Sequence, residues 1–345
     1  MRPQIDAYTI PTAAPESDGT AEWDSTTLVT VQIDEGFGYT YADEATALFI
    51  QKHFADLELD PMSPEGAWSA MIAKVRNLGR RGVAAMAISA VDAALWDLKC
   101  KRLGVPLVSL LGQVREEVPV YFSAGFTSWS IDELQQGLSG WKRVKMKVGR
   151  DWRADRDRVS AVRDAIGPDA DLFVDANGAY DRKQALWQAE AFAEDGVTWF
   201  EEPVSSDDLE GLRFIRERTA IEIAAGEYGY ELQYFDAMLA AGAVDVLQAD
   251  ATRCTGITGF IKTSALCEAR SIPLSAHCAP SLHAHLGCAL LPLRHLEYFF
   301  DHVRIESQLF DGFLEAPNGV MRPDLSRPGI GVELKKKDAE RLRKA

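Results

Sequence analysis

The sequence predicts an α/β protein, a TIM-type barrel carrying a smaller N-terminal α+β domain, and three observations carry that prediction. From about Val118 onward, short apolar runs alternate with longer amphipathic ones. They open near Val118, Arg143, Leu172, Thr198, Ile221, Val244, Ile272 and His295, roughly 23 to 29 residues apart. That spacing fits one strand, one helix and two loops. Second, Asp175, Glu201 and Glu227 each close a hydrophobic run, and each gap is 26 residues, so neighbouring parallel strands would deliver three acids to the same end. Third, no GxGxxG follows the first strand, and reactive residues end many different strands, which a closed ring provides and an open doubly wound sheet does not.

The elements before the barrel have a different texture. Residues 28–33 (Leu-Val-Thr-Val-Gln-Ile) read as a strand, and Gly36 and Gly38 suggest a turn into another extended piece. Ser63-Pro64 supplies an N-cap and a first-turn proline for a helix carrying Trp68, Met71, Ile72 and Val75, with Gly79 as C-cap. A second helix runs from about Ala84 to Arg102, closed by Gly104 and Pro106, with Ile88, Val91, Leu95 and Leu98 on one face and Asp92 and Asp97 expected as polar-face or local pairing residues. The expected organisation is a capping domain over residues 1–115, a barrel over 116–305, and a Gly/Pro-rich segment over 306–345 that folds back on the cap.

At 345 residues and 47% hydrophobic, the chain can bury one large core with a smaller attached domain. A net charge of −15 argues against nucleic acid as a partner, because duplex binding leans on Lys and Arg neutralising phosphates. Five cysteines form no CxxC pair and are expected to be reduced, mostly as small core residues. Met1-Arg-Pro-Gln-Ile-Asp lacks the apolar stretch of a signal peptide, and no run approaches the roughly 20 apolar residues of a membrane span. The expectation is a soluble, cytoplasmic protein with no membrane partner.

The chemistry starts from the three acids. Carboxylate oxygens with no Cys or His among them suit Mg²⁺ better than zinc. Lys145 and Lys147, two apart in Arg143-Val-Lys-Met-Lys-Val-Gly, share one face of a strand, the barrel interior. A lysine beside another cation loses proton affinity, so Lys147 is expected to act as a base, with Lys145 depressing its pKa and contacting the substrate carboxylate. Asp250 ends a sixth strand and His277 a seventh, close enough for a carboxylate to fix the imidazole tautomer and raise its basicity. Glu297, from the eighth strand, reads either as a protonated hydrogen-bond donor to a developing enolate oxygen or as a salt-bridge residue. His283 and His285 are a weaker alternative metal pair, because residues two apart on a helix do not share a face; one of them is expected near the mouth.

With these residues placed, the chain resembles the enolase superfamily, and within it the mandelate racemase subgroup. The matches are Val144-Lys-Met-Lys-Val, Val174-Asp-Ala-Asn-Gly, Trp199-Phe-Glu-Glu-Pro, Ala225-Gly-Glu, Gln248-Ala-Asp-Ala-Thr-Arg-Cys-Thr-Gly and Ser275-Ala-His; Ala87-Ile-Ser-Ala-Val-Asp-Ala-Ala-Leu-Trp-Asp-Leu is similar to the family's capping domain. The resemblance implies a modified (β/α)₇β barrel, one Mg²⁺ held by Asp175, Glu201 and Glu227, and opposed bases Lys147 and His277. It also implies abstraction of the proton α to a carboxylate through an enediolate. Asn177 stands where some acid-sugar dehydratases of the superfamily carry a histidine, which disfavours the gluconate, galactonate and mannonate types. Arg253 stands where the muconate-cycloisomerase and dipeptide-epimerase branch carries a lysine, which disfavours that branch.

The expected activity is therefore acid-sugar dehydration, with racemisation or epimerisation of a 2-hydroxy acid as the alternative on the same site. A non-catalytic binding protein on this scaffold is the second alternative, opposed by the intact pair of bases. Residues 15–24 form a candidate lid whose acids would repel a second substrate carboxylate, favouring a mono-acid. Asn177, Arg253, Glu22, Trp23 and Tyr39 are the further candidate substrate contacts, with Tyr41 beside Tyr39. A homo-oligomer is expected.

Overall fold

Three antiparallel strands open the chain: β1 (Gln4–Ser17), β2 (Glu22–Ile33) and β3 (Gly36–Tyr41). The computed structural model describes residues 3–344; Met1, Arg2 and Ala345 lie outside the described residues, so the start of the N-terminal stretch read above is not among them. β1 has no counterpart in the sequence reading, because Pro11 and Pro15 break its alternation; its pairing with β2 shifts register between Pro11 and Glu16. Gly36 and Gly38 lie inside β3. A Cβ on Gly38 would come within 2.2 Å of the Ala90 carbonyl oxygen, so these glycines let the strand lie directly on a helix.

Helices α1 (Ala45–His53), α2 (Pro64–Lys74), α3 (Val83–Leu103) and α4 (Leu107–Leu111) follow. α3 ends at left-handed Gly104 as its sequence requires. It has no solvated polar side in its middle, and there Asp92 and Asp97 are both fully buried, contrary to the polar-face expectation, while the local-pairing alternative holds for Asp97, whose partner Lys101 is one turn on. Asp92 accepts from the Thr258 N–H and hydroxyl, and Asp97 from the Phe37 and Ile330 N–H groups and from Lys101. They satisfy backbone donors across the seam between α3 and the rest of the chain.

Eight parallel strands then close into a barrel: β4 (Val118–Ala124), β5 (Arg143–Lys147), β6 (Asp171–Asp175), β7 (Val197–Glu201), β8 (Glu222–Ala225), β9 (Val246–Ala249), β10 (Leu274–Ala276) and β11 (Leu293–Phe299). Each pairs with the next, and β11 pairs back on β4. Seven helices connect them, which gives the (β/α)₇β order, and a further helix (Phe300–Leu309) follows β11. Inside, Tyr121, Phe173, Trp199, Ala224 and Val246 form a separate buried cluster that plugs the ring. The level above this apolar floor is charged. Among the described residues no helix is long and apolar enough to cross a membrane, and all five cysteines are buried and unpaired.

Candidate active site

Strand register assembles the site. Lys147 pairs with Asp175, and Asp175 with Glu201, so the ends of β5, β6 and β7 present three charged groups at one level, two residues above the Phe173 and Trp199 floor. Glu227 follows β8 across Gly226. One carboxylate oxygen from each of Asp175, Glu201 and Glu227 lies within 4.8 Å of the others, and all three residues are buried. Hard oxygen donors at that separation fit a small divalent cation such as Mg²⁺. The charges agree. Asp175, Glu201, Glu227, Asp250 and Glu297 face Lys145, Lys147, Arg253 and the His277 ring, so acids outnumber bases here and a bound cation would offset the excess. Burial and the Asp175 charge push the Glu201 carboxyl up to about 8, a cost that a cation among the acids would relieve.

The two lysines divide in an unexpected way. Lys145 is fully buried, its ammonium 2.6 Å from Glu201 and 2.8 Å from Glu297, above the face of Tyr121. It is drawn down among carboxylates and does not line the cavity, which corrects the expectation of a direct substrate contact. Lys147, 2.5 Å from Asp175, lines the cavity. Burial lowers the proton affinity of both, but the carboxylates outweigh it and hold both ammoniums above the ordinary lysine value. Lys145 does lower the proton affinity of Lys147 as expected, but Asp175, nearer and opposite in sign, outweighs it.

On the other side of the acids, His277 Nδ1 lies 2.9 Å from Asp250 Oδ2 and its Nε2 3.1 Å from Glu227 Oε2. Asp250 also accepts from the Thr252 N–H and hydroxyl, which anchors it. Burial disfavours an imidazolium here, but Cys278, Glu227 and Glu297 raise the His277 pKa well above its usual value. Glu297 is pushed up by burial and pulled down further by Lys145, His277 and Lys147, ending well below the carboxylate range. The Lys145 ammonium 2.8 Å away favours the salt-bridge reading of this residue over the protonated donor. His283 and His285 are both buried and neither lines the cavity: His283 accepts from the Ala251 N–H at 3.0 Å and His285 from the Val108 N–H at 3.3 Å. Neither sits at the mouth as expected, since each serves a backbone donor.

Above these groups lies a cavity of about 280 Å³. Its floor is Lys147, Glu227, His277, Cys278 and Glu297; Asn177, Tyr228 and Arg253 form one wall. Asn177 gives its N–H to Asp175 while its side-chain oxygen is buried without a partner, free to take a ligand hydroxyl. The opposite wall comes from the β1–β2 hairpin and the chain after β11: Asp18, Trp23, Ser25 and Thr26 face Phe299, Asp301 and His302. The hairpin reaches the rim because Gly19 has no side chain; a Cβ there would come within 2.2 Å of the Ala176 carbonyl oxygen. Trp23 is thus at the cavity as expected. Glu22, beside it, faces away and pairs with Arg150. Tyr39 is fully buried and donates to Glu306; Tyr41, one pleat along, lines the cavity and stacks on His302. Tyr228, Cys278, Asp301 and His302 were missed by the sequence reading. Cys278 adjoins the dyad histidine, and Asp301 and His302 follow the last strand, so strand-end position was the available signal.

Family comparisons agree with this architecture. The family profile described as mandelate racemase / muconate lactonizing enzyme, N-terminal domain, matches residues 9–112, and that described as enolase C-terminal domain-like matches residues 130–339. A solved mandelate racemase/muconate lactonizing enzyme-like protein from Rubrobacter xylanophilus has a TM-score of 0.95 at 50% identity, with 99% of each chain covered. A racemase from Streptomyces coelicolor A3(2), solved with bound magnesium, has a TM-score of 0.93 at 32% identity, again over 99% of each chain. Among curated relatives, L-talarate/galactarate dehydratase of Salmonella typhimurium is 33% identical over 312 residues, 87% of this chain and 77% of the relative. The chain belongs to the mandelate racemase / muconate lactonizing enzyme family of the enolase superfamily.

Proposed function

We propose that this enzyme is a Mg²⁺-dependent dehydratase of sugar acids, acting on the proton α to a carboxylate. The observation that supports this best is the ring order at the rim: Lys147 and the His277–Asp250 dyad flank the Asp175, Glu201 and Glu227 triad from either side, beneath one cavity. Asp175, Glu201 and Glu227 would hold the cation, which when bound supplies positive charge to the substrate carboxylate and so acidifies its α-proton. Lys147 and His277 can each reach that carbon from its own side. One takes the α-proton, and His277 as imidazolium gives a proton to the departing β-hydroxyl, with Asp250 keeping the ring oriented. Lys145 sits beneath Glu201 and Glu297, fixing both carboxylates. Arg253, beside Glu227 and Asp250, and Asn177, with its unpartnered oxygen, are positioned to hold the substrate.

The far wall selects the substrate. Lys147 and Arg253 are the lysine and arginine lining the cavity, both near the triad, while Asp301 lies away from them with Thr26 and His302 and Asp18 sits on the hairpin turn beside Asn177. Asp301 is already paired with Arg304. A second carboxylate on the substrate would meet like charge there, whereas hydroxyls would find acceptors. The substrate class is therefore a polyhydroxylated mono-acid, in contrast to the diacids in the Salmonella relative's name. We place the enzyme in the cytoplasm as a homo-oligomer, consistent with the reduced cysteines.

The test is a screen of aldonic and aldaric acids with Mg²⁺ in D₂O, read by NMR. A 2-keto-3-deoxy product from an aldonate is expected. Solvent deuterium at the α-carbon without keto product identifies a racemase or epimerase instead, the activity named for the Streptomyces structure. Preference for an aldarate overturns the mono-acid assignment, and no exchange with any acid overturns the enzyme reading of the site.

A further inference from the structure

Cys278 takes no part in the proposed reaction, yet its thiol is the residue next to the dyad histidine and faces the same cavity. It is held there by an unusual turn. Cys278 and Ala279 are consecutive non-glycine residues at positive φ, 53° and 40°, a conformation that L side chains rarely adopt. Three hydrogen bonds fix the turn: the Cys278 N–H donates to Glu297 Oε2, its carbonyl accepts from His283 Nδ1, and the Ala279 N–H donates to His302 Nδ1. The result aims Cys278 Sγ at His277 Nε2, 3.3 Å away, and at Glu297 Oε2, 3.4 Å away; His277 Nε2 and Glu297 Oε2 are 3.7 Å apart.

That triangle has the dimensions of three corners of a tetrahedral zinc site. Zinc bonds of roughly 2.0–2.2 Å to nitrogen or oxygen and about 2.3 Å to sulfur set ligand-to-ligand separations of about 3.3–3.6 Å at tetrahedral angles. The outer partners suit it as well. Asp250 orients His277 through Nδ1, so Nε2 is the nitrogen turned toward the metal position, with Glu227 beside it, the carboxylate–histidine arrangement that accompanies bound zinc. Lys145 holds the other oxygen of Glu297. The three donors line the cavity, leaving a fourth position for water or a small ligand. The donor set differs in kind from the all-oxygen triad beside it: one thiolate and one imidazole select a softer cation.

We infer that His277, Cys278 and Glu297 form a second metal site, specific for a thiophilic divalent cation such as Zn²⁺, beside the carboxylate triad. Binding releases the Cys278 thiol proton to solvent and takes His277 as neutral imidazole, so occupancy strengthens as pH rises. Glu227, a member of the triad and 3.1 Å from His277 Nε2, adjoins both sites. Occupancy removes His277 from proton transfer, so Zn²⁺ inhibits the Mg²⁺-loaded enzyme, and excess thiol or a zinc-selective chelator used with Mg²⁺ in excess restores it. This inhibitory consequence rests on the proposed role of His277; the metal binding does not.

Co²⁺ added to Mg²⁺-saturated protein tests the site directly. One Co²⁺ per chain beyond the triad is expected, with strong tetrahedral bands in the visible and a thiolate-to-metal charge-transfer band in the near ultraviolet. Cys278→Ser should lose the charge-transfer band and bind Zn²⁺ more weakly by more than the roughly 10- to 100-fold that loss of an outer partner costs. Co²⁺ binding without a sulfur band, a band that survives in Cys278→Ser, or Zn²⁺ that only replaces Mg²⁺ one for one overturns the inference. The sulfur band and the stoichiometry come from the unmodified protein, so they decide the matter even where the variant does not fold. A sulfur band in an enzyme that keeps full activity supports the site and counts against His277 as the acid–base group.

Discussion

Two regions of this molecule bury carboxylates, and they do so in opposite ways. At the seams between elements each acid stands alone and is saturated by donors: Asp92 by Thr258, Asp97 by Phe37, Ile330 and Lys101, Glu306 by Tyr39, Tyr41 and Ser281. At the barrel rim five acids crowd together over an aromatic floor, share Lys145, Lys147, Arg253 and His277, and open onto a cavity. Burial alone therefore does not mark function. A buried carboxylate whose lone pairs are filled by backbone N–H groups holds elements together, whereas carboxylates facing one another retain a charge that only a cation or a substrate can complete.

The contrast breaks most visibly at the triad. Removing divalent cation with a chelator, or replacing Glu201 by Gln, is expected to abolish turnover while leaving the circular dichroism spectrum unchanged; residual turnover in metal-free protein would contradict the assignment of the triad. The flanking bases come next. Lys147→Met and His277→Asn should each lower kcat by about 10²- to 10⁴-fold, the usual worth of a positioned acid or base. Exchange in D₂O refines this, because a variant lacking one base should still wash in α-deuterium from the remaining side. Loss of exchange in both variants would mean that the two groups act as one unit.

Much of this rim was legible in the sequence because strand-end chemistry follows a fixed spacing. Asp175, Glu201 and Glu227 recur every 26 residues, and a parallel strand carries each to the same level. Lys145 and Lys147 share a face by simple alternation, yet their division of labour was not readable, since which lysine sinks among the carboxylates depends on Glu297, some 150 residues away. The cap wall was harder still. β1 hides behind two prolines, Glu22 and Trp23 differ only in which side of β2 they occupy, and Tyr39 and Tyr41 only by one pleat. Cys278 reaches His277 through positive φ at two residues that are not glycine, a conformation no local sequence rule anticipates.

Seam acids should behave as tethers. Asp97→Ala leaves the Phe37 and Ile330 N–H groups buried without acceptors, at roughly 1–3 kcal/mol each, so a total loss of about 3 kcal/mol of unfolding free energy is expected in urea titrations. The kcat of the folded fraction should stay at the parent value. A fall in kcat with stability unchanged would erase the distinction between seam and rim.

The smallest effect is a pH dependence at Glu306. Burial pushes its carboxyl up to about 7, against hydrogen bonds from Ser281, Tyr39 and Tyr41, from an ordinary value of 4.5. Between those two values the folded state binds more proton than the unfolded chain. Stability from this group is therefore complete below about 4.5, declines as pH rises, and is lost above about 7. Glu306→Gln keeps acceptors for the tyrosines and has no proton to lose. It should stabilise the protein at about pH 8 by something on the order of 1 kcal/mol, less than the roughly 3 kcal/mol a full shift would give because an amide accepts through one oxygen only. At about pH 5 it should give no gain. Equal changes at both pH values would show that Glu306 stays charged in the fold, and the seam would then hold an ion where the comparison requires a neutral, hydrogen-bonded acid.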